Sequence, residues 1–200
     1  TIGDRMNEKN ISWAWYSGGW NDALAGKPDK SFQYHHQPFA YFDNYADNTP
    51  GRAAHLKDEP DFIEAAKNGT LPAVSFVKPI GIENEHPGYA DIVTGEKHVQ
   101  ELINIIRNGP NWKDCAIIIT YDENGGFWDH VSPPVIDKVW GPGTRIPGII
   151  ISPFAKRGFV DHTLYETLSV LAFIEKRWKL KPLNWRDEGA NSFLNCFEFK

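Results

Sequence analysis

Hydrophobic and polar positions along the chain follow two alternating periods. Trp13-Ala14-Trp15-Tyr16 and Ala73-Val74-Ser75-Phe76-Val77 are short runs rich in aromatic and β-branched residues, each closed by Gly or Pro, and they predict strands. Residues 116–121 form a continuous apolar run, as a strand covered on both faces of a parallel sheet requires, and Gly148-Ile149-Ile150-Ile151 repeats that signature. Between them the period becomes helical. Asp58, followed by Glu59 and Pro60 and closed by Gly69, marks the start and stop of one helix. A second is predicted over residues 94–108, with Val99, Leu102, Ile103 and Ile106 on one face and Gly109 as its stop. A third is predicted over residues 161–178, burying Leu164, Leu168, Leu171 and Ile174. Strands alternating with helices predict an α/β fold with a mainly parallel sheet flanked by helices.

Composition narrows the function classes. The 200 residues, with 8 Trp, 7 Tyr and 12 Phe against 24% charged residues, describe one packed domain or one piece of a larger one, and exclude a solvated tail. No apolar run reaches the roughly 18 residues of a membrane span, so no integral membrane segment is expected, and no basic-then-apolar leader opens the chain. A net charge of -5 without a Lys/Arg cluster argues against a nucleic-acid partner. Cys115 and Cys196 are too few for a disulfide framework and lack metal spacing; Cys115 opens an apolar run and is expected to be a buried thiol. The sequence begins at Thr1 without an initiator Met, and is expected to be processed or cut from something longer.

In open α/β sheets ligands bind beyond the carboxyl ends of the strands. Past the second predicted strand stand Lys78-Pro79 and Glu83-Asn84-Glu85-His86-Pro87. Past the third stands Asp122-Glu123-Asn124-Gly125-Gly126-Phe127-Trp128-Asp129-His130, and farther past the first stands His35-His36-Gln37-Pro38. Four of the seven histidines and a dense group of carboxylates are thus expected at one edge. Adjacent Asp122 and Glu123 repel unless a cation lies between them, and the Gly pair lets both point one way, so a divalent or trivalent metal with oxygen ligands is one reading; a solvated turn is the other. Asp129-His130 reads either as an acid-base or ligand pair or as a structural hydrogen-bonded pair. His86 and one member of the His35-His36 pair, with Lys78, can face an anionic substrate. His98 falls on a polar helix face and is expected to be solvated, while His162 either caps the third helix or lines a site. No Ser, Thr or Cys occupies a recognisable activating frame.

Taken together, His35-His36-Gln37-Pro38-Phe39, Ser75-Phe76-Val77-Lys78-Pro79 with Asn84-Glu85-His86-Pro87, and Tyr121-Asp122-Glu123-Asn124-Gly125-Gly126-Phe127-Trp128-Asp129-His130-Val131 with Pro133-Pro134 resemble the bacterial phosphoesterase family of acid phosphatases and non-hemolytic-type phospholipases C. The resemblance covers about residues 1–180. It implies an alkaline-phosphatase-like α/β fold, incomplete at its N-terminus, in which residues 1–200 are the C-terminal part of a catalytic domain. It also implies hydrolysis of phosphate esters through a phosphorylated Ser or Thr held at a metal. By the same resemblance Asp122 and Glu123 are metal ligands, His35, His36 and Lys78 bind substrate, and His86, Asp129 and His130 are catalytic. The family's Glu-Asn metal motif and its nucleophile have no counterpart in the sequence, so the N-terminal part of the same enzyme is the implied partner and this chain alone is expected to be weak or inactive. Secretion or a periplasmic location is implied too.

Three functions remain open at this point. The wording around His35-His36 lies nearer the acid phosphatases, and phospholipase C activity on phospholipid headgroups is the alternative. A ligand- or carbohydrate-binding module, with Trp13, Trp15, Trp20, Trp128 and Trp140 as stacking surfaces and the acids holding structural Ca²⁺, is the reading from another class.

Overall fold

A computed structural model describes residues 1–199. In chain order the elements are α1 (Ile2–Glu8), β1 (Trp13–Ser17), α2 (Trp20–Leu24), α3 (Pro50–His55), β2 (Leu56–Lys57), α4 (Glu59–Asn68), β3 (Val74–Lys78), α5 (Ile92–Asn108), β4 (Ile117–Thr120), β5 (Gly148–Ile151), α6 (Leu168–Trp178) and α7 (Trp185–Gly189), joined by short 3-10 turns. They form two compact units, residues 10–113 and residues 1–9 with 114–200.

The 10–113 unit is built on a three-stranded parallel sheet in the order β2-β1-β3, flanked by helices. β1 is central. Its residues Trp13, Ala14 and Tyr16 are buried whichever way they point, which is why this strand reads as unbroken rather than alternating. The register places Trp13 beside Val74 and Ser17 beside Lys78. Trp13 stacks flat on His55 at 4.1 Å and packs against Phe39 at 4.7 Å, while Trp15 stacks on Phe76 at 5.2 Å, so much of the aromatic excess is core.

The chemistry of α4 at its ends is what the sequence predicts. Asp58 accepts from the Glu59 amide at 2.7 Å, Asp61 returns the capping box to the Asp58 amide at 3.0 Å, and Gly69 leaves the helix at φ 72°. Asp58 does more than cap: the Gly19 and Asn21 amides donate to the same carboxylate at 2.9 and 2.7 Å, tying the turn after β1 to α4. α5 begins two residues before its expected start, because Asp91 takes the Thr94 amide at 2.8 Å.

In the unit of residues 1–9 and 114–200 two expectations are corrected. β4 and β5 are not strands of a parallel sheet; they pair antiparallel as a two-stranded sheet, Ile117 beside Ile151 and Thr120 beside Gly148. An apolar run looks the same in either kind of sheet. What separates the two is the connection, since parallel neighbours need a crossover, usually helical, and residues 121–147 contain no helix. The third helix starts at Leu168 rather than residue 161, and Leu164 is exposed. The preceding residues are held instead by Asp161, which accepts from the Thr163 amide at 3.0 Å and the Tyr165 hydroxyl at 2.7 Å. Cys115 and Cys196 are free and half-buried, and burial pushes both thiols above their ordinary pKa.

Candidate functional site

Two sets of candidate residues lie in the 10–113 unit. Lys78 ends β3, and its carbonyl accepts from the Gly18 amide at 3.1 Å across the sheet end. Eight residues on, His86 is fixed by its own loop. The Asn84 side chain accepts the His86 amide at 2.9 Å, Glu85 takes a left-handed φ of 64°, and the imidazole stacks on Tyr89 at 4.5 Å. Its Nδ1 lies 2.8 Å from the Pro87 carbonyl, which can only accept, so Nδ1 carries a proton and Nε2 is the atom left for chemistry. The tandem pair divides as adjacent side chains should. His35 is exposed, His36 is buried, and the His36 carbonyl takes the Trp15 indole N–H at 2.7 Å.

Sequence reasoning missed the most concentrated cluster in this unit. His98 is not solvated: its side chain is 11% exposed, Nε2 lies 2.8 Å from Glu59 Oε1, and Nδ1 lies 3.4 Å from Glu83 Oε2. The Glu59 carboxylate 2.8 Å away pushes the His98 pKa up, burial opposes it, and the charges of Glu83 and Glu101 add to the rise. The missed signal was spacing. His98 precedes Leu102 by four residues and Ile106 by eight, which puts it on the buried stripe of α5. Glu59 was hidden differently, as an apparent first-turn acid at the N-terminus of α4; its side chain is 8% exposed.

The other candidates lie in the 114–200 unit. Asp122 and Glu123 follow β4 and are both exposed. Their turn is self-supporting: Asp122 accepts the Glu123 amide at 3.1 Å, Glu123 accepts the Gly125 amide at 2.7 Å, and Gly125 and Gly126 adopt φ of 66° and 75°. Both carboxylates border a cavity of about 1620 Å³ whose walls include Arg145, Asp161, His162 and Arg186. His162 therefore lines this cavity and caps no helix, since α6 begins six residues later.

Asp129 has a partner that sequence reasoning did not supply. Arg145 grips both its oxygens, Nε to Oδ2 at 2.8 Å and Nη2 to Oδ1 at 2.9 Å, and the Val131 amide adds a bond at 3.0 Å. These hydrogen bonds hold the Asp129 carboxyl well below the usual carboxylate range. His130 is largely exposed, with Nδ1 3.6 Å from Asp129 Oδ1, an ion-pair distance rather than a hydrogen bond. Asp161 shows a similar balance: desolvation raises its pKa, but bonds from Thr163, Tyr165 and Asn195 outweigh it and leave the pKa low.

The structure thus groups Asp122, Glu123, Asp129 and His130 in one unit, and His35, His36, Lys78 and His86 in the other. What the fold and these residues define is an α/β protein with acidic and imidazole side chains on the segments that follow its strands. The sequence model of the Phosphoesterase family matches residues 1–181, and the chain belongs to that family. It is similar to non-specific phospholipase C1 of Arabidopsis thaliana, 33% identical over 167 residues that cover 68% of this chain and 31% of that protein. Phospholipase C B of Mycobacterium tuberculosis is 32% identical over 165 residues, covering 70% and 32%. Non-hemolytic phospholipase C of Burkholderia pseudomallei is 27% identical over an alignment of 257 positions, covering 100% of this chain and 36% of the relative. The chain spans about a third of the length of these curated relatives.

Proposed function

We propose that this chain serves the hydrolysis of phosphoric esters, as the C-terminal part of a phosphoesterase catalytic domain. The observation that carries the reading is the family match over residues 1–181, which includes every candidate site residue. Asp122 and Glu123 fit a divalent metal by donor chemistry: two adjacent exposed carboxylates at a glycine turn are hard oxygen ligands that repel one another unless a cation lies between them. A metal bound there would supply positive charge to the phosphate oxygens and so stabilise charge developing in the transition state.

The chain's own groups complete part of the task. His86, with Nδ1 committed to Pro87, presents Nε2 and, when protonated, donates from it to a phosphate or leaving-group oxygen. His35 and Lys78 are N–H donors for the phosphate, and His36, buried with its carbonyl engaged, positions His35 beside it at a ring separation of 4.7 Å. Asp129, kept ionised by Arg145, cannot give up a proton at ordinary pH and acts as a positioning residue for the loop that carries His130. The nucleophilic hydroxyl and the rest of the metal site are proposed to come from the N-terminal part of the same enzyme, and export remains the proposed location.

The relatives' printed names favour a phospholipid headgroup ester over the acid-phosphatase substrate that the wording around His35-His36 favours. The test has two arms. In the first, inorganic phosphate binding to the chain is followed by ³¹P line broadening with added Mn²⁺. Binding that Asp122→Asn or His86→Asn weakens supports the role proposed for that residue, and binding that neither changes refutes both roles. In the second, the family-length protein is assayed on p-nitrophenyl phosphate and on phosphatidylcholine vesicles; faster turnover of the vesicles supports the phospholipase reading, and faster turnover of the monoester overturns it in favour of the phosphatase.

A further inference from the structure

The Glu59, Glu83 and His98 cluster shares no residue with the groups assigned roles above. Each residue comes from a different element: Glu59 from the first turn of α4, Glu83 from the 3-10 turn Gly81–Glu83, and His98 from the second turn of α5. One donor atom from each lies within 4.8 Å of the other two. Glu59 and His98 are nearly excluded from water, and Glu83 is one-third exposed, so the cluster has a single open side.

Its polar atoms are not satisfied by one another. Glu59 Oε2 and His98 Nε2 are both buried without a well-aligned hydrogen bond, although Nε2 lies 2.8 Å from Glu59 Oε1. A buried carboxylate oxygen left without a partner costs about 1–3 kcal/mol, so a fold that keeps one has a use for it. The charges do not balance either. One imidazole faces Glu59, Glu83 and Glu101, and among the described residues neither Glu59 nor Glu83 has a Lys or Arg at ion-pair distance. Even as imidazolium, His98 neutralises one carboxylate of the three.

We propose that Glu59, Glu83 and His98 are a binding site for a divalent transition-type metal ion, Zn²⁺ or Mn²⁺ in class, separate from Asp122 and Glu123. One imidazole nitrogen with two carboxylates is a mixed N/O donor set that suits such ions, whereas Ca²⁺ and Mg²⁺ take oxygen ligands alone. Two ligands of one tetrahedral ion stand about 3.3 Å apart at metal-ligand distances near 2.05 Å. The Glu59–His98 Nε2 pair at 2.8 Å therefore opens slightly on loading, and Glu83, which faces the other ring nitrogen, Nδ1, at 3.4 Å, turns its carboxylate toward the ion within the 4.8 Å that already spans the three donors.

The ion would tie α4 to α5 through the turn that leads into the His86 loop. Glu83 stands three residues before His86, and the loop is already pressed on α5 by Glu85. A Cβ added at Gly95, one turn before His98, would collide with the Glu85 Cγ. Metal loading thus steadies His86 from behind without touching the phosphate.

The experiment is metal titration calorimetry on the metal-stripped 200-residue chain, with Zn²⁺, Mn²⁺, Ca²⁺ and Mg²⁺ as probes and hydrogen exchange of residues 81–90 as the second readout. Expected in the Asp122→Asn/Glu123→Gln double variant is one equivalent of Zn²⁺ or Mn²⁺, and in wild type the same equivalent, within about twofold in affinity, beside the ion proposed at Asp122 and Glu123. Glu83→Gln and His98→Asn are each expected to weaken it about 100-fold, in line with the tenfold to 100-fold that even outer-shell changes cost. Exchange at 81–90 should slow on loading. Glu83→Gln alters a partly exposed side chain, so circular dichroism of that variant separates lost ligation from lost folding. Uptake that disappears in the Asp122/Glu123 variant, uptake that Glu83→Gln and His98→Asn leave intact, or a preference for Ca²⁺ would each overturn the proposal. The proposed hydrolysis could fail and this site still stand, because the readout is metal occupancy at residues the reaction does not use.

Discussion

Two carboxylate clusters in this chain are held in opposite ways. Glu59 and Glu83 are fixed by helix packing around one imidazole, largely away from water, and each has a neighbour on another element. Asp122 and Glu123 stand exposed on a turn in which each carboxylate accepts an amide one or two residues on. The difference teaches what each can do. A buried cluster holds its shape before any ligand arrives and serves structure, whereas an exposed pair at a strand end keeps its charge available to an incoming ligand.

Substitutions sharpen this contrast. The largest effect on stability is expected at Asp58, whose buried carboxylate serves the Glu59, Gly19 and Asn21 amides at once. Asp58→Ala should lower the unfolding free energy by about 2–4 kcal/mol in urea titration, more than a cap alone, because several donors lose their acceptor together. Next, Gly95→Ala should cost about 1–3 kcal/mol by driving Glu85 off α5, as overpacking does. Asp122→Asn, by contrast, should change stability by no more than about 0.5 kcal/mol. A stability loss at Asp122 as large as that at Asp58 would erase the distinction between the clusters.

A pH titration probes the buried side of the comparison elsewhere. Burial, with Asp187 beside it, pushes Glu175 up to about 8, while bonds from Glu175 and the Leu183 and Asn184 amides, opposing desolvation, hold Asp187 low. Between the ordinary Glu pKa and about 8 the folded chain binds the Glu175 proton and the unfolded chain does not. This contribution therefore falls as pH rises through that window and is fully lost above it. The Asp187 contribution has the opposite sign and is lost as pH falls below the ordinary Asp value. Thermal midpoints should drop by several degrees from pH 5.5 to 8.5, and Glu175→Gln should flatten the slope. A midpoint that rises across this range would contradict the assignment.

The parts of this arrangement that the sequence made legible are those set by local chemistry. The α4 cap at Asp58 and stop at Gly69, the β1 and β3 strands, and the Asp122-Glu123 turn follow from residue types within a few positions of one another. The antiparallel β4–β5 pairing did not, because an Ile run carries no sign of its partner's direction. Arg145 escaped notice because its tie to Asp129 spans 16 residues of loop with no periodicity. His98 is expected on the polar face of its helix, yet it precedes Leu102 by four residues, the spacing of the buried stripe.

The most direct test of the contrast is an anomalous difference map from crystals soaked in Mn²⁺ and inorganic phosphate. The account predicts a Mn²⁺ peak at Asp122 and Glu123 with phosphate density beside it, and any peak at Glu59, Glu83 and His98 without phosphate. Phosphate beside metal at the buried cluster, with none at Asp122 and Glu123, would contradict it.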